Sequence, residues 1–206
     1  MNSDFASAQL NAQRARDKLT GALSRLHFLE LLAEEKTFAD RNGLAFLLCL
    51  IDVDQLRNIN DRAGQRAGDD VLIGVTNRLR DVLDTPPWSQ FNYLHARYDG
   101  DGLMVLLRSC HVDHGRRFAE ALRMRVAQAA FGSQRDVTIS IGVAAYNVGE
   151  LVDEVLARTE RTLHLAKQFG PDCVEVAAAP PSVRPRKNVI YLDETRLRAR
   201  RGTGSF

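Results

Sequence analysis

The stretch Arg97-Tyr98-Asp99-Gly100-Asp101-Gly102-Leu103 packs two carboxylates and two glycines into one tight turn, directly before the apolar run Met104-Val105-Leu106-Leu107. Asp-Gly pairs supply the φ > 0 residues that hairpin turns need, so residues 92–97 and 103–109 are expected as paired strands around it. Upstream, Ala45-Phe46-Leu47-Leu48-Cys49-Leu50-Ile51 is a continuous apolar run, fit for a strand buried on both faces, and it ends in Asp52-Val53-Asp54. A carboxylate at the end of a buried strand is costly unless something compensates it. Two acidic strand ends, around Asp52 and around Asp101, suit a hard divalent cation held together with phosphate oxygens. Each feature also has a plain structural reading. The Asp-Gly pairs would serve as an ordinary turn, and Asp52 or Asp54 as the N-cap of a helix over 54–63.

The elements that must position these groups follow from periodicity. Apolar residues at helical spacing predict a short lead-in helix over 1–16, a helix over 24–40 carrying Leu26, Phe28, Leu29, Leu31 and Leu32, and one over 69–84 stopped by Pro86-Pro87. A further helix is expected over 114–130 and another near 150–168. Strands are expected over 45–52, 137–143 and 173–177. The order β-α-α-β-β-α-β-α-β predicts an α/β (α+β) domain: a ferredoxin-like palm whose mainly antiparallel sheet is flanked by helices.

The 206 residues make one domain with extensions, long enough for a proper core. No apolar run reaches the length of a membrane span, and the N-terminus lacks a charged-then-apolar signal pattern. Cys49, Cys110 and Cys173 are odd in number and widely spaced, so they read as buried thiols in a reducing cytoplasm. The net charge of +2 is too small to argue for a specific nucleic acid. It hides a split, because from Pro180 onward seven basic residues face two acidic ones, giving a tail of about +5 behind a body of about −3. Pro180, Pro181 and Pro185 mark the boundary as an extended linker. The tail reads either as a contact for an acidic partner, RNA or an anionic membrane, with Val189-Ile190-Tyr191-Leu192 as a short docking strand or helix start, or as a disordered solubilising tail. His27, His95, His111, His114 and His164 do not cluster at metal-ligand spacing, and Trp88 reads as a loop anchor.

These residues resemble a known family. Asp17-Lys18-Leu19-Thr20-Gly21-Ala22-Leu23-Ser24-Arg25 resembles the DxLTGLxNR opening motif of GGDEF domains, the diguanylate cyclases. Asp52-Val53-Asp54, Arg57, Asn60-Asp61, Gly64 and Gly68-Asp69 resemble the family's DxDxFKxxND…GH…GD block. Arg97 to Leu103 falls where the family has RxGGDEF, Val137 to Val143 resembles its TxSxGVA strand, and Ala166-Lys167…Gly170 its AKxxGR closing helix. The resemblance divides the chain into a lead-in helix (1–16), a nucleotidyl-cyclase-like GGDEF domain (17–179) and a basic tail (180–206). It implies bacterial signalling through cyclic di-GMP, with two GTP joined in a symmetric homodimer. By motif, Asp52 and Asp101 would be the catalytic metal carboxylates and Val53 would offer its backbone carbonyl to Mg²⁺ or Mn²⁺. Asn60 and Asp69 would read guanine. Arg57, in place of the family's Lys, would meet the phosphates, as would Lys167, with Gly100 also at the substrate. Asn60 and Asp69 have structural alternatives as a turn residue and a helix cap.

Three departures bear on activity. Asp99 replaces the first glycine of the signature, Gly102 replaces its second acid, and Pro171 stands where the family carries an Arg. The product-inhibition motif RxxD is replaced by Gln90-Phe91-Asn92-Tyr93, which removes the simplest receptor reading. The resemblance therefore implies a degenerate GGDEF protein, catalytically impaired, that binds GTP or another signalling protein; the alternative is an active diguanylate cyclase with a divergent signature. With only a short lead-in before the domain, any input signal is expected to arrive through another chain.

Overall fold

The computed structural model describes residues 15–177; the expected helix over 1–16 and the tail over 180–206 lie essentially outside them. Five helices of two or more turns and five strands alternate in the described chain: α1 (Arg25–Asn42), β1 (Phe46–Val53), α2 (Leu56–Ala63), α3 (Gln65–Leu83), β2 (Tyr93–Arg97), β3 (Gly102–Arg108), α4 (Val112–Ala127), β4 (Ile139–Ala145), α5 (Val152–Phe169) and β5 (Val174–Val176). The strands form one sheet in the order β2-β3-β1-β4-β5. The first three pairings along that order are antiparallel and β4–β5 is parallel. Strands 4-1-3-2 with their crossover helices are the ferredoxin-like split βαβ arrangement expected from the sequence, with β5 added at one edge.

Strand β1 lies at the centre because both of its faces are apolar. Cys49, Ile51 and Val53 face Val71, Val75 and Leu79 of α3 and Phe118 and Leu122 of α4 in one core layer. Leu48 and Leu50 face Phe28 and Leu32 of α1 and Val155 and Leu163 of α5 in the other. Successive residues of a strand point to opposite faces. Asp52 and Asp54 therefore continue the α1/α5 face just where the sheet ends. Helix α5 approaches β4 closely because Gly142 carries no side chain. A Cβ there would lie 2.2 Å from the backbone nitrogen of Leu163. That contact fixes the height of Lys167 one turn further along α5.

Three local expectations are corrected. Helix α3 starts at Gln65, after Gly64 at φ 83°, and not at 69, so Gly68 is a buried helical residue and Asp69 does not cap the helix. The residue that opens α2 is Gln55, at φ 55° and without a side-chain cap, so neither Asp52 nor Asp54 is its N-cap. Leu26, assigned to the apolar face of α1, is exposed. Trp88 is buried against Phe118 and anchors the loop after α3, as its sequence position suggested.

Candidate functional site

The ends of β1 and β3, the turn between β2 and β3, and helices α2, α3 and α5 meet at one corner of the sheet. There a cleft of about 320 Å³ is lined by residues that include Leu56, Arg57, Asn60, Gly68, Asp69, Leu72, Arg97, Gly100 and Asp101. Five of the sequence-predicted positions, Arg57, Asn60, Asp69, Gly100 and Asp101, share this lining. Asp52, Val53 and Lys167 lie beside it at the end of β1 and on α5.

At the α2–α3 end the amide of Asn60 is held against α3. A Cβ on Gly68 would lie 2.0 Å from Asn60 Oδ1, so glycine at 68 makes the room that the amide occupies. Asn60 Oδ1 is buried and has no hydrogen-bond partner. Buried acceptors are normally satisfied, which makes this one a point where a ligand donor fits. Asp69 and the apolar side chains of Leu56 and Leu72 share that end of the cleft.

At the other end the charges are paired within the chain. Lys167 Nζ lies 2.7 Å from Asp52 Oδ1, and Asp52 is largely buried. Burial pushes the Asp52 carboxyl above its ordinary range, with Asp101 adding repulsion and Lys167 opposing both. Asp54, two residues on and on the same strand face, is fully engaged. It accepts from Thr138 Oγ1 and Ser140 Oγ at 2.7 Å each and from the backbone N–H of Asp172 at 2.8 Å. Asp54 is therefore a structural carboxylate that ties β4 and the segment after α5 to the end of β1. Only the β1–β4 pairing brings Thr138 and Ser140 to it.

The signature turn is at once a hairpin turn and part of the site. Asp99 Oδ1 accepts the backbone N–H of Gly102 at 3.0 Å. A Cβ built on Gly102 would lie 2.2 Å from that same oxygen. The Asp at 99 and the Gly at 102 are thus one coupled change: the Asp99 carboxyl group fills the space from which a side chain at 102 would start. Arg97 closes the turn from outside, donating to the carbonyls of Asp99 and Gly100. Its guanidinium also lies 3.5 Å from Asp17 of the opening motif. Asp17 in turn accepts from the backbone N–H and hydroxyl of Thr20.

Pro171 lies between Gly170, at φ 120°, and Asp172, at φ 61°. Arg123 of α4 reaches this segment but is spent on Glu120 and Asp172, at 2.9 and 2.7 Å. Arg57 is the contrasting cation of the site. Its side chain is 93% exposed, with only a loose 3.9 Å approach to Asp61.

Hard carboxylate and carbonyl oxygens at Asp52, Asp101 and Val53 are the donor set that Mg²⁺ or Mn²⁺ prefers. Among the described residues no three His, Cys, Asp or Glu side chains converge to hold an ion by themselves. The residues thus fit an ion that arrives with further oxygens from a nucleotide's phosphates.

The family model described as "Diguanylate cyclase, GGDEF domain" matches residues 14–173. Diguanylate cyclase DgcP of Pseudomonas aeruginosa is 34% identical over 164 residues, 78% of this chain and 24% of that protein. Diguanylate cyclase DgcM of Escherichia coli is 29% identical over 169 residues, 82% of this chain and 40% of that protein. The chain therefore spans less than half the length of these two relatives. In structure it resembles diguanylate cyclase SiaD of P. aeruginosa, solved in complex with its activator SiaC. The TM-score there is 0.73 at 28% identity, covering 85% of this chain and 67% of that one. It shares its fold with the coiled coil and GGDEF domain of DgcB from Caulobacter crescentus, solved with c-di-GMP. That TM-score is 0.76 at 24% identity, covering 85% of this chain and 92% of the other.

Proposed function

The chain belongs to the diguanylate cyclase GGDEF family of cyclic di-GMP signalling, and we propose that its cleft binds a guanine nucleotide while its cyclase chemistry is impaired. The observation that carries the binding half is the orphaned Asn60 Oδ1. Leaving such an acceptor unpaired costs about 1–3 kcal/mol. The Watson–Crick edge of guanine offers adjacent N–H donors, which suit an amide oxygen and the Asp69 carboxylate; the same edge of adenine does not.

The impaired half rests on the other end of the cleft. Cyclisation needs a 3′-hydroxyl of one nucleotide to lose its proton and attack the α-phosphate of the other, with pyrophosphate leaving. Asp52, Asp101 and the Val53 carbonyl would hold Mg²⁺ or Mn²⁺, which when bound supplies charge neutralisation at the reacting phosphate oxygens. Lys167 must then release Asp52 and turn to the phosphates. The signature's second acid is absent at 102, and Pro171 contributes no cation. Catalysis further requires a second copy of the domain facing the first. Without turnover, the nucleotide-loaded domain serves as a contact surface for another signalling protein.

One observation favours the opposite reading, an active cyclase: the Asp99 carboxyl group fills the space of a side chain at 102, so an acid remains at that corner. The full-length chain with GTP and Mg²⁺ or Mn²⁺ separates the two. We expect GTP or GDP to raise the melting temperature and ATP not to, because a ligand stabilises the state it binds, and we expect little or no cyclic di-GMP. Turnover on the order of 1 s⁻¹, abolished in Asp52→Ala and Asp101→Ala, would establish the active reading. Equal shifts with ATP, or none with any nucleotide, would remove guanine recognition.

A further inference from the structure

We infer that this cleft prefers guanosine carrying one or two phosphates over guanosine triphosphate, with Asp99 setting the preference. The inference rests on guanine recognition through Asn60 and Asp69, and it concerns what extends from the base toward the signature turn. Arg57, Gly100 and Asp101 line the cleft with those two residues, so the phosphates must run past them.

Polyphosphates are held by backbone N–H groups and by cations. Here the turn's Gly102 N–H already bears the Asp99 carboxylate, an anion covalently supplied by the chain. Asp99 is exposed and stands next to Gly100, which lines the cleft, so its negative charge lies at the cleft's edge. The neighbouring cations are also engaged. Arg97 serves the turn carbonyls and Asp17, Lys167 neutralises Asp52, and Arg123 is bound to Glu120 and Asp172. Of the cations named at this corner, Arg57 alone has no close partner. Its planar guanidinium can grip one phosphate group through two parallel N–H···O bonds, which an ammonium cannot do. A single free guanidinium suits one phosphate group and leaves a longer phosphate chain short of cations. A third phosphate adds negative charge where Asp99 already sits.

The variant that isolates this effect is Asp99→Asn. Its side-chain oxygen still accepts the Gly102 N–H, so the turn is kept and only the charge is removed. Calorimetric titrations of the full chain with GTP, GDP and GMP, at low ionic strength and fixed Mg²⁺, give the affinity order. We expect the wild type to bind GDP or GMP at least about fivefold more tightly than GTP. In Asp99→Asn, GTP affinity should rise about fivefold to tenfold, the size of one unit charge acting over about 4 Å through water, with a smaller change for GMP and an unchanged melting temperature. Wild-type binding of GTP as tight as GDP, or an unchanged ratio in Asp99→Asn, overturns the inference and leaves guanine recognition standing. Failure of all three guanine nucleotides to bind overturns guanine recognition itself.

Discussion

Between α2 and α3 the cleft holds a buried amide oxygen with no partner, at Asn60. Where β1, the signature turn and α5 meet, the corresponding polar groups have found partners inside the chain: Lys167 on Asp52, Asp99 on Gly102, Arg97 on Asp17. The first arrangement keeps an acceptor that no group of the described chain satisfies. The second is largely paired, with a buried Asp172 oxygen as an exception, so a ligand there must displace contacts before it gains most of its own. A single cleft thus combines the end proposed to take the base with a largely self-paired end proposed to take phosphates, and each half can be perturbed without the other.

The largest effect is expected from the carboxylate that looks most like part of the site. Asp54→Ala leaves the Thr138 and Ser140 hydroxyls and the Asp172 N–H without their acceptor in a buried position. Losing three hydrogen bonds to a charged group should cost about 3 kcal/mol or more, read as a drop in urea midpoint. Asp52→Ala removes one lysine contact and frees a half-exposed ammonium to reach water. Its cost should stay within about 1 kcal/mol. Equal losses for the two variants would break the assignment of Asp54 to architecture and Asp52 to the site.

Next in size is the base pocket. In Gly68→Ala the new methyl would collide with Asn60 Oδ1 and push the amide out of place. Alanine is otherwise favoured over glycine in a helix. Guanine-nucleotide affinity should therefore fall at least about tenfold, a loss of 1.4 kcal/mol, while the melting temperature holds or rises. Retained affinity would show that Asn60 does not read the base.

The helices, strands and their order were legible because β1 and the amphipathic faces of α3, α4 and α5 announce themselves by apolar periodicity. The ordered motif blocks also placed Asn60, Asp69 and Asp101 at one cleft. What stayed hidden was partnership. The helix was expected to begin at 69, after Gly64 and Gly68, and only the packing of α2 on α3 shows that Gly68 is small to admit an amide. Asp52 and Asp54 are indistinguishable along the chain; they separate because residues 84 and 86 positions later, Thr138 and Ser140, reach one and not the other. Likewise Asp99 and Gly102 read as two independent departures from the signature, whereas the turn makes each the reason the other is tolerated.

That coupling is testable at a smaller scale. Gly102→Ala places a methyl within 2.2 Å of Asp99 Oδ1 and should destabilise the fold by about 1 kcal/mol, because the Asp99 side chain must swing away and give up the Gly102 N–H. In the Asp99→Gly background the same change should be nearly neutral. A double-mutant cycle should then return a coupling of about 1 kcal/mol. Additive losses would mean that the turn relaxes freely and that the two departures are unrelated.

The smallest effect concerns the scaffold behind the phosphate end and its dependence on pH. His95 Nε2 accepts from Arg80 Nε at 3.3 Å, and Arg80 also donates to the Thr20 carbonyl of the opening motif at 2.8 Å. Burial, with Arg80 and Arg16 nearby, lowers the His95 pKa from 6.5 to about 4, against a weaker opposing pull from Asp84. The unfolded chain therefore takes up this proton first, and stability due to neutral His95 is complete above pH 6.5. It is lost progressively as pH falls from 6.5 to about 4. Asp17 acts in a separate, lower window. Although burial raises its pKa, the Thr20 and Arg97 contacts hold it below 3.8, so its contribution fades only as pH falls below that value. His95→Gln keeps an acceptor for Arg80 and cannot titrate. It should flatten the decline in urea midpoint between pH 6.5 and 4 and leave the steeper loss below pH 4 unchanged. Protonation at 95 would loosen Arg80 from Thr20, and through Asp17 it would loosen the Arg97 contacts of the signature turn. An unaltered midpoint slope in His95→Gln between pH 6.5 and 4 would show that another group carries the loss of stability in that range.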